Sequence, residues 1–188
     1  ILSSTAEDVS FLLGVPRSGT TLLATMLDRH PAIAAPPEPW LMIALDQFGH
    51  VPCAHPANAG VLAPAINDPL TAPVRSSASA AFARTVYASL AAARGKSHFV
   101  GKTPRYYHVL PTLDAVFPAA RHVVLLRNAL DIAASMRLAW NIDIASLIAR
   151  QADDPFVFDL VFGLEQLPAF SQAYPCRVSN RCLHPTVF

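Results

Sequence analysis

The amino-acid sequence predicts an α/β fold in which helices cover both faces of a central parallel sheet. Short apolar runs at 9–15 and 121–126 have the length and composition of buried strands, and a segment with helical periodicity follows each of them. Strands that alternate with helices build parallel sheets, because each crossover helix packs back onto the sheet. With 188 residues and no internal repeat, residues 1–188 are predicted to form a single domain with a substantial core.

The other elements follow from local signals. The first helix, at 20–29, is predicted to end at His30-Pro31, because the residue before a proline avoids the helical conformation. A strong helix at 76–94 has apolar residues at helical spacing and is expected to be capped by Gly95. The remaining predictions are a long Pro- and Ala-rich loop or lid at 49–74, a strand at 97–101, helices at 111–117, after Arg127, at 142–151 and at 155–173, and an atypical tail without periodicity at 174–188.

Composition excludes several classes of protein. Charged residues make up 14% of the chain and apolar residues 53%, so the chain is not disordered as a whole. The formal charge of +1 argues against a general nucleic-acid binder, which carries a large basic excess. The basic residues stand near turns and not in runs, which favours a small anionic ligand.

Cysteine use and hydropathy indicate the compartment. Cys53, Cys176 and Cys182 form no disulfide framework and are predicted to be reduced thiols in a cytoplasmic protein. No signal peptide and no apolar run of about 18 residues is visible, so no membrane span is expected in this chain. The chain begins at Ile1 and not at methionine, which leaves open a missing N-terminal anchor or targeting segment. The sequence does not indicate an oligomeric state.

The segment PRSGTTLL, which follows the first strand, is the most informative part of the chain. Gly14 and Gly19 have the spacing of a Walker A loop, G-x-x-x-x-G, but Thr20 stands where that motif has its lysine. Backbone N–H groups at such a turn and at the helix start that follows form an anion site, above all for phosphate. Arg17 adds a cation within the loop. The sequence therefore predicts a phosphate-binding loop that departs from the ATP or GTP pattern.

Three basic residues fall just after apolar strands. They are Arg17, Lys102 and Arg127, and they come from separate parts of the chain. In an open α/β sheet, the carboxyl ends of the strands line the crevice that binds the ligand. We therefore expect the three cations to converge on one crevice.

Several segments resemble the sulfotransferases that use 3′-phosphoadenosine 5′-phosphosulfate (PAPS). PRSGTTLL is similar to their 5′-phosphosulfate loop, and VVLLRNALDIAASM is similar to their 3′-phosphate segment. GKTPRY and HPAIAAPPEPW resemble elements of the bacterial and tyrosylprotein branches. The resemblance covers about residues 9–140. It implies a P-loop NTPase-like three-layer α/β sandwich and transfer of a sulfonyl group from PAPS, as co-substrate, to a small-molecule or peptidyl hydroxyl.

The resemblance also implies roles for the donor-binding residues. The loop residues would hold the 5′-phosphate, and Arg17 would also contact the sulfonate; the loop residues are Arg17, Ser18, Gly19, Thr20 and Thr21. Arg127 and Ser135, eight residues apart, would hold the 3′-phosphate that distinguishes PAPS from ATP. Alternatively, Arg127 caps a helix or pairs with Asp131 on the surface.

Glu38 and Lys102 are the candidates for the chemical step. Glu38 would remove the proton from the acceptor hydroxyl, and Lys102, together with Arg17, would stabilise the charge that develops as the S–O bond breaks. His98 and His108 remain alternatives for the base. No metal is expected, although His50, Cys53 and His55 form a short cluster of possible ligands.

Two other functions stay open at this point. One is an ATP-dependent small-molecule kinase, which normally needs the Walker lysine that is missing here. The other is a degenerate, non-catalytic nucleotide-binding domain, which is favoured by a tail without the Tyr-Glu-type element and basic loop of longer relatives. The chain is thus expected to be truncated or altered at its C-terminus. The apolar segment 40–45 and the 49–74 loop are expected to form the acceptor pocket and favour an apolar acceptor.

Overall fold

A computed structural model describes residues 8–48, 58–150, 153–175 and 178–183. A parallel sheet with strand order β2-β3-β1-β4-β5 lies at its centre. The strands are β1 Val9–Leu13, β2 Ile33–Ala34, β3 His98–Lys102, β4 Arg121–Arg127 and β5 Val178–Leu183. The sequence therefore predicted the strands β1, β3 and β4 to within two residues and missed the two edge strands.

Helices occupy both faces of the sheet. They are α1 Thr20–Asp28, α2 Leu41–Asp46, α3 Ala59–Asn67, α4 Ala72–Ala92, α5 Leu110–Val116, α6 Ala129–Trp140, α7 Ile144–Ala149, α8 Pro155–Phe158 and α9 Leu164–Ala173. A 3₁₀ helix, Tyr106–Val109, precedes α5, and a π-helical turn, Asp159–Gly163, joins α8 to α9. In the described ranges, no helix has the length and apolar composition needed to cross a membrane.

The central strand β1 explains why the core has two halves. Phe11 and Leu13 belong to a large apolar cluster on one face, which includes Tyr87 and Phe117. Leu12 belongs to a smaller cluster on the other face, under α1. Side chains of a strand alternate between faces, so a strand buried on both faces is apolar throughout. This arrangement confirms the predicted three-layer sandwich.

Gly14 and Gly95 show where the chain needs glycine. A Cβ atom on Gly14 would lie 2.7 Å from Ser18 Oγ and from Thr20 Cγ2, so the phosphate-type loop closes over this position. Gly95 has φ +66°, and the Lys96 N–H donates to the Ala91 carbonyl, which is the Schellman end of a helix. The predicted cap at Gly95 is confirmed, although α4 begins at Ala72 and not at 76.

Two predictions about irregular segments were wrong. Within 49–74, residues 49–57 lie outside the described residues, but Ala59–Asn67 is a helix that Asn58 caps by accepting from the Gly60 N–H. Pro64 inside that helix is the residue that favours a loop in the sequence. Residues 178–183 form the edge strand β5 beside β4, although the tail shows no strand periodicity. Backbone pairing at a sheet edge does not require an alternating pattern of side chains.

Candidate active site

The loop between β1 and α1 lies at the carboxyl edge of the sheet. Arg17 has φ 66° and Gly19 has φ 101°, so the chain turns sharply before α1 begins. Among the described residues, no side chain caps the start of α1. As at the start of any α-helix, the N–H groups of its first turn, at Thr20, Thr21 and Leu22, also have no acceptor within the helix. Such N–H groups and the helix dipole attract anions, and the binding of phosphate by this loop stays a prediction.

Ser18 occupies a different place from the other loop residues. Its side chain is fully buried and faces the position of Gly14, and its N–H donates to the Val15 carbonyl at 3.2 Å. Ser18 is not among the residues that line the cavity described below. The structure thus gives Ser18 a place in the support of the loop. Its predicted contact with a phosphate stays a prediction.

Arg17, Ser135 and Arg127 come together beside the loop. Arg17 Nε donates to Ser135 Oγ at 3.0 Å, and Arg127 Nη1 donates to the Arg17 carbonyl at 3.1 Å. Arg127 Nε lies 4.0 Å from Asp131 Oδ2, which is too long for a hydrogen bond. The alternative pairing of Arg127 with Asp131 is therefore a weak contact, and the main partner of Arg127 is the loop backbone.

Glu38 and Lys102 form an ion pair at the same edge. Lys102 Nζ lies 2.9 Å from Glu38 Oε1 and donates to Thr21 Oγ1 at 3.3 Å. The Lys102 side chain is only 4% exposed and that of Glu38 is 31% exposed. A buried ammonium needs such partners, because its loss of hydration is costly. Lys102 is therefore fixed, whereas the Glu38 carboxylate faces partly toward solvent.

Two cavities meet at Glu38. The first, which we call the loop cavity, has a volume of about 260 Å³ and contains most of the predicted site. It is lined by Arg17, Gly19, Thr20, Thr21, Glu38, Arg127, Ser135 and Trp140, with Pro16 and Pro104. The second, the α1 groove, has about 460 Å³ and runs along α1 from Thr21 to Asp28, past Glu38 and Lys102. Thr21 and Glu38 line both cavities.

The segment that carries Glu38 is held at both ends. Asp28 Oδ1 accepts from the Ala35 N–H at 2.9 Å and from Lys96 Nζ at 2.9 Å. At the other end, the Trp40 N–H donates to the buried Thr103 Oγ1 at 3.4 Å. Prolines at 36, 37 and 39 restrict the backbone between these two ties. The position of Glu38 is thus set by contacts outside its own segment.

Replacing Asp28 by Asn is expected to lower stability by about 1 kcal/mol near neutral pH. The hydrogen bond from Ala35 and the contact with Lys96 hold the pKa of Asp28 below its usual range. This stabilisation is therefore complete above the unfolded pKa of about 3.9 and is lost as the pH falls through the folded value. Urea unfolding at several pH values should show a steeper loss of stability below pH ~4 in the wild type than in Asp28→Asn.

The control for this experiment is Asp68→Asn, which changes an exposed aspartate on another part of the surface. If Asp28→Asn and the wild type lose stability in parallel as the pH falls, Asp28 does not hold this segment by its charge.

Neither histidine proposed as an alternative base lines the two cavities. His98 begins β3, at the opposite edge of the sheet, where Nε2 lies 3.0 Å from Ser10 Oγ. His108 stacks on Phe158 with ring centroids 5.3 Å apart, and burial lowers its pKa. Glu38 is therefore the better placed of the three. The cluster of His50, Cys53 and His55 lies outside the described residues.

Trp140 and Arg94 are residues that the sequence reasoning missed. The Arg17 guanidinium lies 5.0 Å from the centre of the Trp140 ring, where a cation–π contact orients it. Arg94 lines the α1 groove. In the sequence, Trp140 is marked only by its position near the end of a predicted helix. Arg94 is marked only by its position before Gly95, the glycine that ends α4. Neither position indicates a binding site. Both were brought to the site by the packing of distant elements.

A parallel α/β sandwich with a phosphate-type loop at its carboxyl edge defines the class of protein, and comparison with known sequences defines the family. The model of the sulfotransferase family matches residues 10–161. This chain belongs to the sulfotransferase family. It is 49% identical over 138 residues to the nodulation protein NoeE of Sinorhizobium fredii (strain NBRC 101917 / NGR234). That match covers 73% of this chain and 33% of NoeE, so the chain spans about a third of the length of this relative.

Solved structures show the same fold. The sulfotransferase domain from the curacin biosynthetic pathway matches with a TM-score of 0.58 at 18% identity, over 96% of this chain and 68% of that chain. The sulfotransferase domain of the Synechococcus PCC 7002 olefin synthase matches with a TM-score of 0.52 at 20% identity, over 96% and 68%. The P-loop NTPase-like fold that the sequence predicted is thereby confirmed.

Proposed function

We propose that this chain transfers a sulfonyl group from PAPS to an acceptor hydroxyl. The observation that carries the proposal is the loop cavity, which is lined by both the Arg127–Ser135 pair and Glu38. A donor with two phosphate groups needs two anion sites, and a hydroxyl acceptor needs a base beside the donor. The residues that we propose for these three roles line one cavity.

The residues of the loop cavity fit the charge of PAPS. The first-turn N–H groups of α1 would bind the 5′-phosphate. Arg127 and the Ser135 hydroxyl would bind the 3′-phosphate, and Arg17, which lies against Ser135, would lie between the two groups. The hydrogen bond from Arg17 to Ser135 supports a role for Arg17 in donor binding. We also propose that Arg17 contacts the sulfonate group of the donor.

The chemical step then follows from the ion pair. Glu38 takes the proton of the acceptor hydroxyl as that oxygen bonds to sulfur. The bond between sulfur and the 5′-phosphate oxygen breaks, and 3′-phosphoadenosine 5′-phosphate (PAP) departs with the electron pair of that bond. Lys102, fixed by Glu38 and Thr21, stabilises the charge on the departing oxygen. The products are a sulfate ester and PAP.

The test of donor binding is Arg127→Ala. We expect this substitution to weaken the binding of PAP about 10- to 100-fold, because a charge-assisted hydrogen bond to phosphate contributes about 1.5–3 kcal/mol. The affinity for AMP, which lacks the 3′-phosphate, should change little. Isothermal titration calorimetry with PAP, AMP and ATP plus Mg²⁺ measures both. The matched control is Arg137→Ala, an exposed arginine further along α6 that does not line the loop cavity.

Three other outcomes would contradict the proposal or part of it. Equal affinity for PAP and AMP would remove the 3′-phosphate site. A preference for ATP with Mg²⁺ would support the kinase. Tight PAP binding without transfer to any hydroxyl would support a non-catalytic nucleotide-binding domain.

A further inference from the structure

We propose that Trp140 and Phe156 are positioning residues for the proposed sulfonyl transfer. Their rings lie between the guanidinium groups of Arg17 and Arg105, and we call these four side chains the cation–aromatic row. The inference rests on the proposed function, because the group that the row positions is the Arg17 guanidinium, which we place at the sulfonate.

The row is continuous from one guanidinium to the other. The Arg17 guanidinium lies 5.0 Å from the centre of the Trp140 ring, and the centres of the Trp140 and Phe156 rings lie 5.5 Å apart. The Arg105 guanidinium lies 5.6 Å from the centre of the Phe156 ring. These separations are in the range of cation–π and aromatic contacts. Trp140 is therefore in contact with Arg17 and with Phe156 at the same time.

The far end of the row is anchored in the core. Arg105 Nη2 donates to Asp159 at 2.8 Å, and the Asp159 side chain is 0% exposed. Trp140, in contrast, is the last residue of α6 and is 43% exposed. A half-exposed side chain keeps rotamer freedom unless neighbouring groups restrict it. The buried ion pair gives the row a fixed end, and the two rings connect that end to the loop cavity.

Arg17 is held at its backbone, at its Nε and at its guanidinium face. Its φ of 66° is uncommon for a residue other than glycine. Arg127 Nη1 donates to the Arg17 carbonyl, and Arg17 Nε donates to Ser135 Oγ. Toward the rest of the described chain, Nη1 and Nη2 of Arg17 donate no hydrogen bond. The contacts thus leave free the nitrogens that can donate to the oxygen atoms of an anion.

An aromatic ring suits this cation because the ring has no net charge. Its quadrupole attracts the guanidinium, and the positive charge of Arg17 is not neutralised. A carboxylate in the place of Trp140 would repel the phosphates of the donor and would compete with the sulfonate for Arg17. At Arg105, which does not line the loop cavity, the partner is a carboxylate, Asp159. The two arginines of the row therefore have the partners that their different roles require.

The row should affect transfer more than nucleotide binding. PAP has both phosphates of the donor but lacks the sulfonate, so it does not make the contact for which Arg17 is positioned. A cation that is already oriented stabilises the charge of the transition state without reorganisation during the reaction. We therefore expect the loss of either ring to lower kcat and to change PAP affinity little.

The test replaces each ring in the whole chain. Trp140→Leu is expected to lower kcat with PAPS about 3- to 30-fold, and PAP affinity, measured by calorimetry, should change by less than about threefold. Phe156→Leu should also lower kcat, although Phe156 does not line the loop cavity. Trp140→Phe keeps an aromatic face and should retain most of the rate. Phe158→Leu is the matched control, since Phe158 is about as exposed as Trp140 and does not line the cavity.

A double variant tests whether the two rings act as a unit. If Phe156 acts through Trp140, then Phe156→Leu should have little further effect on kcat in the Trp140→Leu background. Losses that multiply in the double variant would show that Phe156 does not act through Trp140, and the row would be wrong.

Fluorescence tests the contact with Arg17 without any turnover. The chain has two tryptophans, so Trp140 is the only one that remains in Trp40→Phe. Because a cation beside an indole ring shifts its emission, adding Arg17→Leu to that variant should shift the emission maximum of Trp140. The control is Arg29→Leu, which removes an exposed arginine that does not line the loop cavity and should leave the maximum unchanged.

The outcomes distinguish this inference from the proposed function. If Arg17→Leu leaves the emission unchanged, or if Trp140→Leu transfers sulfonyl groups as fast as the wild type, the inference is wrong and the proposed function stands. Equal losses of affinity for PAP and AMP in Trp140→Leu would place the ring against the nucleotide base and would also overturn it. If Arg17→Leu shifts the emission but the wild type does not turn over PAPS, the contact stands, and the proposed function fails together with the role of the row in transfer.

Discussion

Glu38→Gln is expected to lower kcat for sulfonyl transfer by about 10²- to 10⁴-fold and to leave PAP affinity close to that of the wild type. Glutamine has nearly the same size, and its amide oxygen can still accept from Lys102, which lies 2.9 Å from the carboxylate in the wild type. What the substitution removes is the capacity to take a proton from the acceptor. The loss should therefore appear in kcat and not in the KM for the donor.

The matched control is Glu165→Gln, which makes the same chemical change at an exposed position on α9. Steady-state kinetics with PAPS and any turned-over acceptor, together with PAP calorimetry, gives both quantities. A decrease in kcat of less than about tenfold with intact PAP binding would exclude Glu38 as the base. A parallel loss of PAP binding would instead place Glu38 in donor binding.

Asp159→Ala is expected to destabilise the fold by about 3–5 kcal/mol, which corresponds to a decrease in Tm of about 6–20 °C for a chain of this size. The Asp159 carboxylate is 0% exposed. It accepts from Arg105 Nη2 at 2.8 Å and Nε at 3.0 Å, and from the Tyr107 hydroxyl. Removing it leaves a guanidinium and a buried hydroxyl without their acceptor. That loss costs far more than the intact pair contributes.

This network also connects the site to the later helices. Arg105 follows directly on Lys102-Thr103-Pro104, and Asp159 lies in the π-helical turn before α9. In the same turn, Gly163 packs so closely on Val15 that a Cβ atom would lie 2.5 Å from Val15 Cγ1. The turn thus supports both the phosphate-type loop and the segment that follows Lys102. Its loss should therefore lower kcat as well as Tm.

Asp153→Ala is the control, since Asp153 is an exposed aspartate just before α8. Differential scanning calorimetry measures Tm for both variants. A double variant, Arg105→Met with Asp159→Leu, removes both charges and should regain much of the stability lost in Asp159→Ala. If Asp159→Ala melts within about 2 °C of the wild type, the buried network does not hold the turn in place.

The elements that the sequence predicted well are those whose signal is local. A buried central strand such as β1 must be apolar on both faces, and the glycines of the loop after it mark backbone geometry that other residues resist. The elements that it missed are at the margins of the sheet. β2 has only two residues, and β5 is held by backbone pairing with β4. Neither needs a recognisable side-chain pattern.

Within the site, the sequence indicated which residues could take part in the chemistry, but it did not indicate which of them form hydrogen bonds or ion pairs with one another. Glu38 and Lys102 were separate candidates with separate roles, and the structure joins them as an ion pair across 64 positions of sequence. Arg17 was expected at the sulfonate, and the structure directs it to Ser135, which is 118 positions away. Pairings of this kind depend on which strands are neighbours in the sheet. No short window of sequence contains that information.

The sequence by itself determined the strand–loop–helix unit, the basic residue at the end of each inner strand, and the membership of the family, because these features arise within a few residues. Only the tertiary structure decided that β1 lies between β3 and β4, and hence that Lys102 and Arg127 flank the loop at one edge. It also decided that Glu38 stands between two cavities, each of which is lined by both polar and apolar side chains. The physical reason is that a cavity is lined by residues from distant parts of the chain, and its chemistry exists only when the sheet has brought them together.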